Sequence, residues 1–198
     1  MTETVRTQAT HFRLTDSTHI SRRRFLKLGT LMAAGLAMPK VLYATPRPDE
    51  RGERLLKFYN THTRERLEVC YCRDGHYDQD ALKAVNTIFR DHRTDEKHPI
   101  DLRLLDLLHD IRAKVGHDSC LHIISGYRSP ATNAMLRHRS SGVARKSLHM
   151  QGFAADIRIP GIRTRALRKI ALAMQQGGVG YYPKSDFVHV DIGRVRTW

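Results

Sequence analysis

Between Leu55 and Asp191 the spacing of apolar residues changes period several times, and each change marks an element. From Glu65 to Cys72, Leu67, Val69 and Tyr71 alternate with polar neighbours, the two-residue period of a half-buried strand. Leu55–Asn60 precedes it across a polar Thr-His-Thr-Arg turn, so the pair predicts a β-hairpin ending at Asp74-Gly75. The period then becomes helical. Leu82, Val85, Ile88 and Phe89 share one face of a helix that Asp78 or Asp80 can cap, and Leu102, Leu105, Leu108 and Ile111 form the stripe of a second helix beginning near Asp101. His109 lies beside that stripe and is read as structural.

The second half repeats the alternation of strand and helix. Leu121–Ser125 is a short buried strand that leads into Gly126-Tyr127-Arg128. Ser129 as cap with Pro130 at the first helical position starts a helix through Leu136, followed by a basic loop from Arg137 to Lys146. Phe153–Ile159 alternates as a strand, Arg163–Met174 is a basic amphipathic helix, and Gly177-Gly178 is expected to stop it. Val179–Tyr182 and Phe187–Asp191 then form a hairpin about Pro183-Lys-Ser-Asp186. Strands joined by hairpins around a few helices predict an α+β fold, a small antiparallel sheet flanked by helices, without internal repeats.

Upstream, Ser21-Arg22-Arg23-Arg24-Phe25-Leu26-Lys27 leads into an apolar run, Leu28 to Met38, too short to span a bilayer. This is the layout of a secretory signal, and its paired arginines resemble the twin-arginine export motif. Ala44 places cleavage before Thr45, with Ala37 as a second option. The expected organisation is a signal peptide over 1–44, a polar flexible lead over 45–54 and one folded domain over 55–198. No cysteine near the cleavage point supports a lipid anchor, so no stable membrane anchor is expected after signal removal, and the expected location is the periplasm.

Composition adds a partner. The 198 residues carry 34 Lys and Arg against 20 Asp and Glu, a net charge of +14. Setting aside the first 44 residues leaves 27 basic and 18 acidic side chains, so the domain itself is basic and suits an anionic partner. The charge is spread over several elements with no interleaved aromatic and basic pattern, and a nucleic-acid partner is not expected. The three cysteines, Cys70, Cys72 and Cys120, allow one bridge from Cys120 to either of the others or three reduced thiols, and complete no metal site.

Chemistry concentrates in Ser147-Leu-His149-Met-Gln-Gly152-Phe-Ala-Ala-Asp156, answered by Phe187-Val-His189-Val-Asp191. Two imidazoles and a carboxylate suit a zinc ion that keeps one position open. His149 and Asp156 stand seven apart, outside the i, i+4 spacing of a helical metal motif, so a turn must bring them together. Gly152 permits that turn, and the strand from Phe153 carries Asp156 back beside His149. Any one of these residues alone has an ordinary structural reading; their combination points to a metal.

These motifs, with Ser125-Gly-Tyr-Arg-Ser129 upstream, closely resemble the LAS-type zinc peptidases of the M15 group. Gly178-Val-Gly-Tyr-Tyr-Pro183 and the ending Arg196-Thr-Trp198 make the murein endopeptidase K branch the nearer match. The resemblance runs from about Leu55 to Trp198. It implies an LAS/hedgehog-like zinc peptidase fold holding one zinc ion per chain on His149, Asp156 and His189. It makes Arg128 the residue that steadies the oxyanion, and Ser147 and Tyr127 substrate-facing residues. In LAS enzymes the general base is commonly a glutamate three residues before the last histidine, a position held here by the shorter Asp186. Strand parity offers Asp191 as the alternative, because it shares a face with His189; Asp191 is taken first, as base or partner of the metal-bound water, and Asp186 second, while either has a structural reading, Asp191 as an acceptor holding an imidazole ligand.

By resemblance the substrate is the peptide part of peptidoglycan, cleaved at a cross-link. Its free carboxylates give Arg137, Arg139, Arg145 and Lys146 beside the site a physical role. Two alternatives keep the fold: a D,D- or L,D-carboxypeptidase trimming stem peptides, and a non-catalytic wall-binding module.

Overall fold

The computed structural model describes residues 52–140 and 142–198. The expected signal peptide, and the expected lead as far as residue 51, lie outside the described residues. The elements in order are β1 (Glu53–Asn60), β2 (Arg66–Arg73), β3 (His76–Tyr77), α1 (Gln79–Ile88), α2 (Leu102–Val115), β4 (Leu121–Ser125), α3 (Pro130–Arg139), β5 (Ala154–Arg158), α4 (Thr164–Met174), β6 (Gly178–Tyr182), β7 (Phe187–Asp191) and β8 (Arg196–Thr197). Short 3-10 turns cover Leu148–Gln151 and Pro183–Ser185.

The α+β reading holds, but the sheet is neither small nor purely antiparallel. Eight strands form one mixed sheet in the order β3-β2-β1-β4-β5-β7-β6-β8. Two pairs, β1 with β4 and β6 with β8, are parallel. The β1-to-β4 connection passes through two helices, and a crossover of that length returns a strand in the same direction. β1 also begins two residues earlier than expected, since Glu53 and Arg54 pair with Arg73 and Cys72.

The alternation of side chains along the strands gives the sheet two unlike faces. Leu56 and Phe58 of β1, Ile123 of β4, Ile157 of β5 and Val188 and Val190 of β7 are all buried on one face. They join Val85 of α1, Leu104 and Leu108 of α2 and Leu167 of α4 in a single cluster, each large side chain contributing about 2 kcal/mol by leaving water. Alternate positions carry Asp156, His189 and Asp191 to the other face. That face holds the chemistry.

Local signals set the helix ends. Asp78 accepts from the amides of Asp80 and Ala81, Asp101 from that of Arg103, and Ser129 from that of Thr132, each satisfying an otherwise orphaned helix donor. The stop of α4 differs from expectation: Gln175, in the left-handed region at φ 55°, ends the helix before Gly177 is reached. All three cysteines are free.

Candidate metal centre

His149 rides on the 3-10 turn that Gly152 closes at φ +69°, a conformation that favours glycine. Space makes the same demand, because a Cβ at Gly152 would stand 2.2 Å from the carbonyl oxygen of Pro99. The amide of Phe153 then donates to the carbonyl of Leu148 and the chain enters β5. Asp156 sits mid-strand, in register with Ser125 on β4 and with His189 on β7. One turn and one pair of neighbouring strands therefore bring together three residues spread over 41 positions of the chain.

The three side chains meet tightly. Nδ1 of His189 lies 2.9 Å from Oδ1 of Asp156, Nε2 of His149 lies 3.2 Å from that nitrogen, and Nε2 of His149 lies 3.4 Å from the same oxygen. All three residues are buried, and their ligand atoms fall within 4.8 Å of one another, so the group can hold a metal ion. Each imidazole is oriented by its other nitrogen. His149 Nδ1 faces the carbonyl of Gly126 at 2.8 Å and His189 Nε2 faces Oδ2 of Asp191 at 3.0 Å. Protons on those outer nitrogens leave the inward nitrogens with free lone pairs, which is the tautomer a metal needs.

The electrostatics agree with that assignment for Asp156 and His149, whereas His189 would have to release a proton to bind a metal. Burial raises the Asp156 carboxyl, but the two imidazoles outweigh it and hold it well below the usual carboxylate range. His149 is pushed down by burial, toward the neutral form. His189 is opposed by burial but drawn up to about 9 by Asp156 and Asp191. Arg128 is lowered by burial and supported by the charge of Asp156, whose Oδ2 lies 3.8 Å from its guanidinium. Its Nε is buried without a hydrogen-bond partner among the described residues. The backbone amide of Arg128 also donates to the carbonyl of His149 at 3.2 Å, so the Gly126–Arg128 segment and the His149 turn clasp each other.

A cavity of about 500 Å³ opens on these residues. Arg128, Ser147, His149, Asp156 and His189 line it as expected, and Lys146 of the basic loop joins them. Tyr127 does not. Its amide is tied to the carbonyl of Phe89, its ring stacks on His98 at 4.8 Å, and it belongs to the hydrophobic cluster, so the structure places it in the core and not on the cavity.

Both candidate bases are also placed elsewhere. Asp191 is fully buried behind His189, on the ring nitrogen that faces away from Asp156. Its oxygens also accept from the amides of Gly178 and Gly193 and from both terminal nitrogens of Arg196. Those bonds overcome burial and keep it well below the usual carboxylate range. Strand parity gave the correct face, but an i+2 side chain reaches the near edge of the imidazole and not the cavity. Asp186 adopts φ 52° in the β6–β7 turn and points to Thr164 and Arg158, outside the cavity. Among the described residues lining the cavity, Asp156 is the only carboxylate.

Sequence reasoning missed the aromatic part of the lining, Tyr182, Phe187 and Trp198. Phe187 stands two residues before His189, so the parity that found Asp191 also indicated it. For Trp198 the available signal was the Arg-x-Trp ending.

The model of a family described as peptidoglycan L,D-endopeptidase MepK matches residues 49–198. The chain is similar to the peptidoglycan L,D-endopeptidase MepK of Escherichia coli strain K12, with 41% identity over 186 residues that cover 92% of this chain and all of that protein. It is 37% identical over 182 residues to the probable peptidoglycan L,D-endopeptidase MepK of Haemophilus influenzae, covering 90% of this chain and 95% of that one.

Proposed function

Because the chain belongs to the M15 peptidase family of peptidoglycan L,D-endopeptidases, we propose that it is an exported, zinc-dependent murein endopeptidase that hydrolyses L,D bonds in the peptide cross-links of the cell wall. The observation that carries the reading is the convergence of His149 Nε2, Asp156 Oδ1 and His189 Nδ1 beside Arg128 in one cavity. Two imidazoles and one carboxylate are a donor set for zinc, and three protein ligands leave a position for water or substrate. When bound, zinc supplies Lewis acidity, which makes a water easier to deprotonate and a carbonyl easier to attack.

The chain's own residues do the rest. Gly126 and Asp191 fix the two imidazoles, so each ring is already turned with one nitrogen inward. Arg128, permanently charged and lining the cavity, offers donors to the oxygen on which negative charge develops during attack. Ser147 and Lys146 line the approach, where Lys146 can attract the free carboxylates of a cross-link peptide. The twin-arginine-like segment near Arg22 and Arg23 supports export to the periplasm, the side on which peptidoglycan lies.

The test is incubation of the purified chain with defined cross-linked muropeptides, with and without chelator, and identification of the new termini by mass spectrometry. Cleavage at an L,D bond that chelator abolishes is expected. Release of only a terminal residue from stem peptides would replace this reading with a carboxypeptidase, and intact muropeptides retained by the protein would replace it with a wall-binding module.

A further inference from the structure

Three large apolar side chains are exposed among the described residues, Tyr77, Val195 and Trp198, and of these Trp198 alone lines the metal cavity. It is 47% exposed yet held from several directions. Its indole Nε1 donates to the hydroxyl of Tyr182 at 2.9 Å, and its backbone is tied to β6 through Val179 and Tyr181. Beneath the ring lies Gly180, where a Cβ would stand 2.8–2.9 Å from three indole atoms, so only a bare backbone lets the ring settle there. The Arg196 guanidinium lies 4.9 Å from the ring while forking onto Asp191. An exposed indole already fixed in place loses little freedom when something packs on it.

Its position gives that surface a use. The ring centroid lies 5.2 Å from that of the His189 imidazole, so a group packed on Trp198 is adjacent to the metal ligands. Tyr182 and Phe187, stacked at 4.5 Å, continue the aromatic surface. Val143, Ala144 and Leu148 add apolar lining, while Arg128 and Lys146 bring cations and Ser147 a hydroxyl. A cavity with an aromatic part and a cationic part fits a ligand that carries carboxylates and a run of methylenes together.

We propose that Trp198 is a specificity-determining residue of this cavity, its exposed indole surface serving as the shelf for the aliphatic side chain of the cross-linking diamino acid in a peptidoglycan peptide. The inference rests on the murein endopeptidase reading. A sugar ring could stack on the same indole, and the test separates the two occupants.

Trp198 is the only tryptophan in the chain, so its emission reports on this position alone. The zinc-loaded full chain is mixed with a glycan-free, cross-linked peptide dimer and its emission read in the first seconds; a saturable shift is expected, and none with a peptide-free disaccharide. In steady state, Trp198→Ala is expected to raise KM for the dimer about tenfold with kcat within threefold, and Trp198→Phe to restore most of the loss, with metal content unchanged in both. An unchanged KM in Trp198→Ala while the parent cleaves the dimer overturns the proposal, as does an emission change with the disaccharide and not the dimer. If the parent does not cleave the dimer at all, the endopeptidase reading fails, and the emission titration alone decides the shelf.

Discussion

Asp191 stands two residues beyond His189 on the same face of β7 and accepts from its Nε2 at 3.0 Å, while its other contacts, Arg196 and the amides of Gly178 and Gly193, keep it out of the cavity. We therefore propose for it a positioning role, exerted through the imidazole. Asp191→Asn is expected to lower zinc affinity about 10- to 100-fold, the usual loss for an outer partner of a metal-ligating histidine. Added zinc should recover part of the activity. Undiminished zinc affinity with activity lost at every zinc concentration would return Asp191 to the role of proton acceptor.

Arg128 and Asp186 should differ sharply. Arg128→Lys keeps a charge but loses the directed guanidinium donors, and kcat is expected to fall about 100- to 1000-fold with metal content intact. Asp186→Ala removes a carboxylate bonded to Thr164 and Arg158 outside the cavity, and kcat/KM should stay within about threefold. A collapse of activity in Asp186→Ala would show that this turn rearranges to bring its carboxylate to the substrate.

Much of this was legible in the sequence. Asp78, one of two candidates, and Ser129 cap the helices they were expected to cap, and Asp101 caps the helix expected to begin near it, because capping is a local bond between a side chain and amides two or three residues on. His149, Asp156 and His189 were legible because the glycine turn and the strand period constrain them. What escaped depended on contacts distant in sequence. The parallel pairing of β1 with β4 is decided by how α1 and α2 pack, β8 is two residues long and has no period to read, and Tyr127 lies in an irregular segment where parity says nothing about direction.

The turn at Gly152 supplies a stability test. Gly152→Ala puts an L side chain at φ +69° and its Cβ against the carbonyl of Pro99, so a loss of at least about 1–2 kcal/mol is expected from backbone conformation alone. Thermal unfolding should report a Tm lower by roughly 2–8 °C, at about 2–4 °C per kcal/mol for a chain of this size. An unchanged Tm would mean that the His149 turn is not held in the left-handed conformation.

Acid stability should depend on Asp91, which is buried and accepts from the amides of Ser129 and Arg93 at 2.8 and 3.0 Å, fastening the start of α3 just after Arg128. Burial raises its carboxyl, but hydrogen bonds led by Thr132 and those two amides bring it down to about 2. A carboxyl lowered on folding contributes stability that is fully present above its ordinary value near 3.8 and is lost as pH falls through about 2. Urea unfolding between pH 5 and 2 should therefore show a steeper fall for the parent than for Asp91→Asn. Parallel profiles would remove Asp91 from this role.

The central claim is that His149, Asp156 and His189 hold one catalytic zinc ion, and metal analysis combined with turnover tests it most directly. The parent is expected to bind one equivalent of zinc, lose muropeptide cleavage when the metal is stripped and recover it when zinc is restored, whereas His149→Ala and His189→Ala, folded by circular dichroism, lose both zinc and cleavage. Full cleavage by the metal-stripped parent, or a stoichiometric zinc content retained in both histidine variants, would contradict the account.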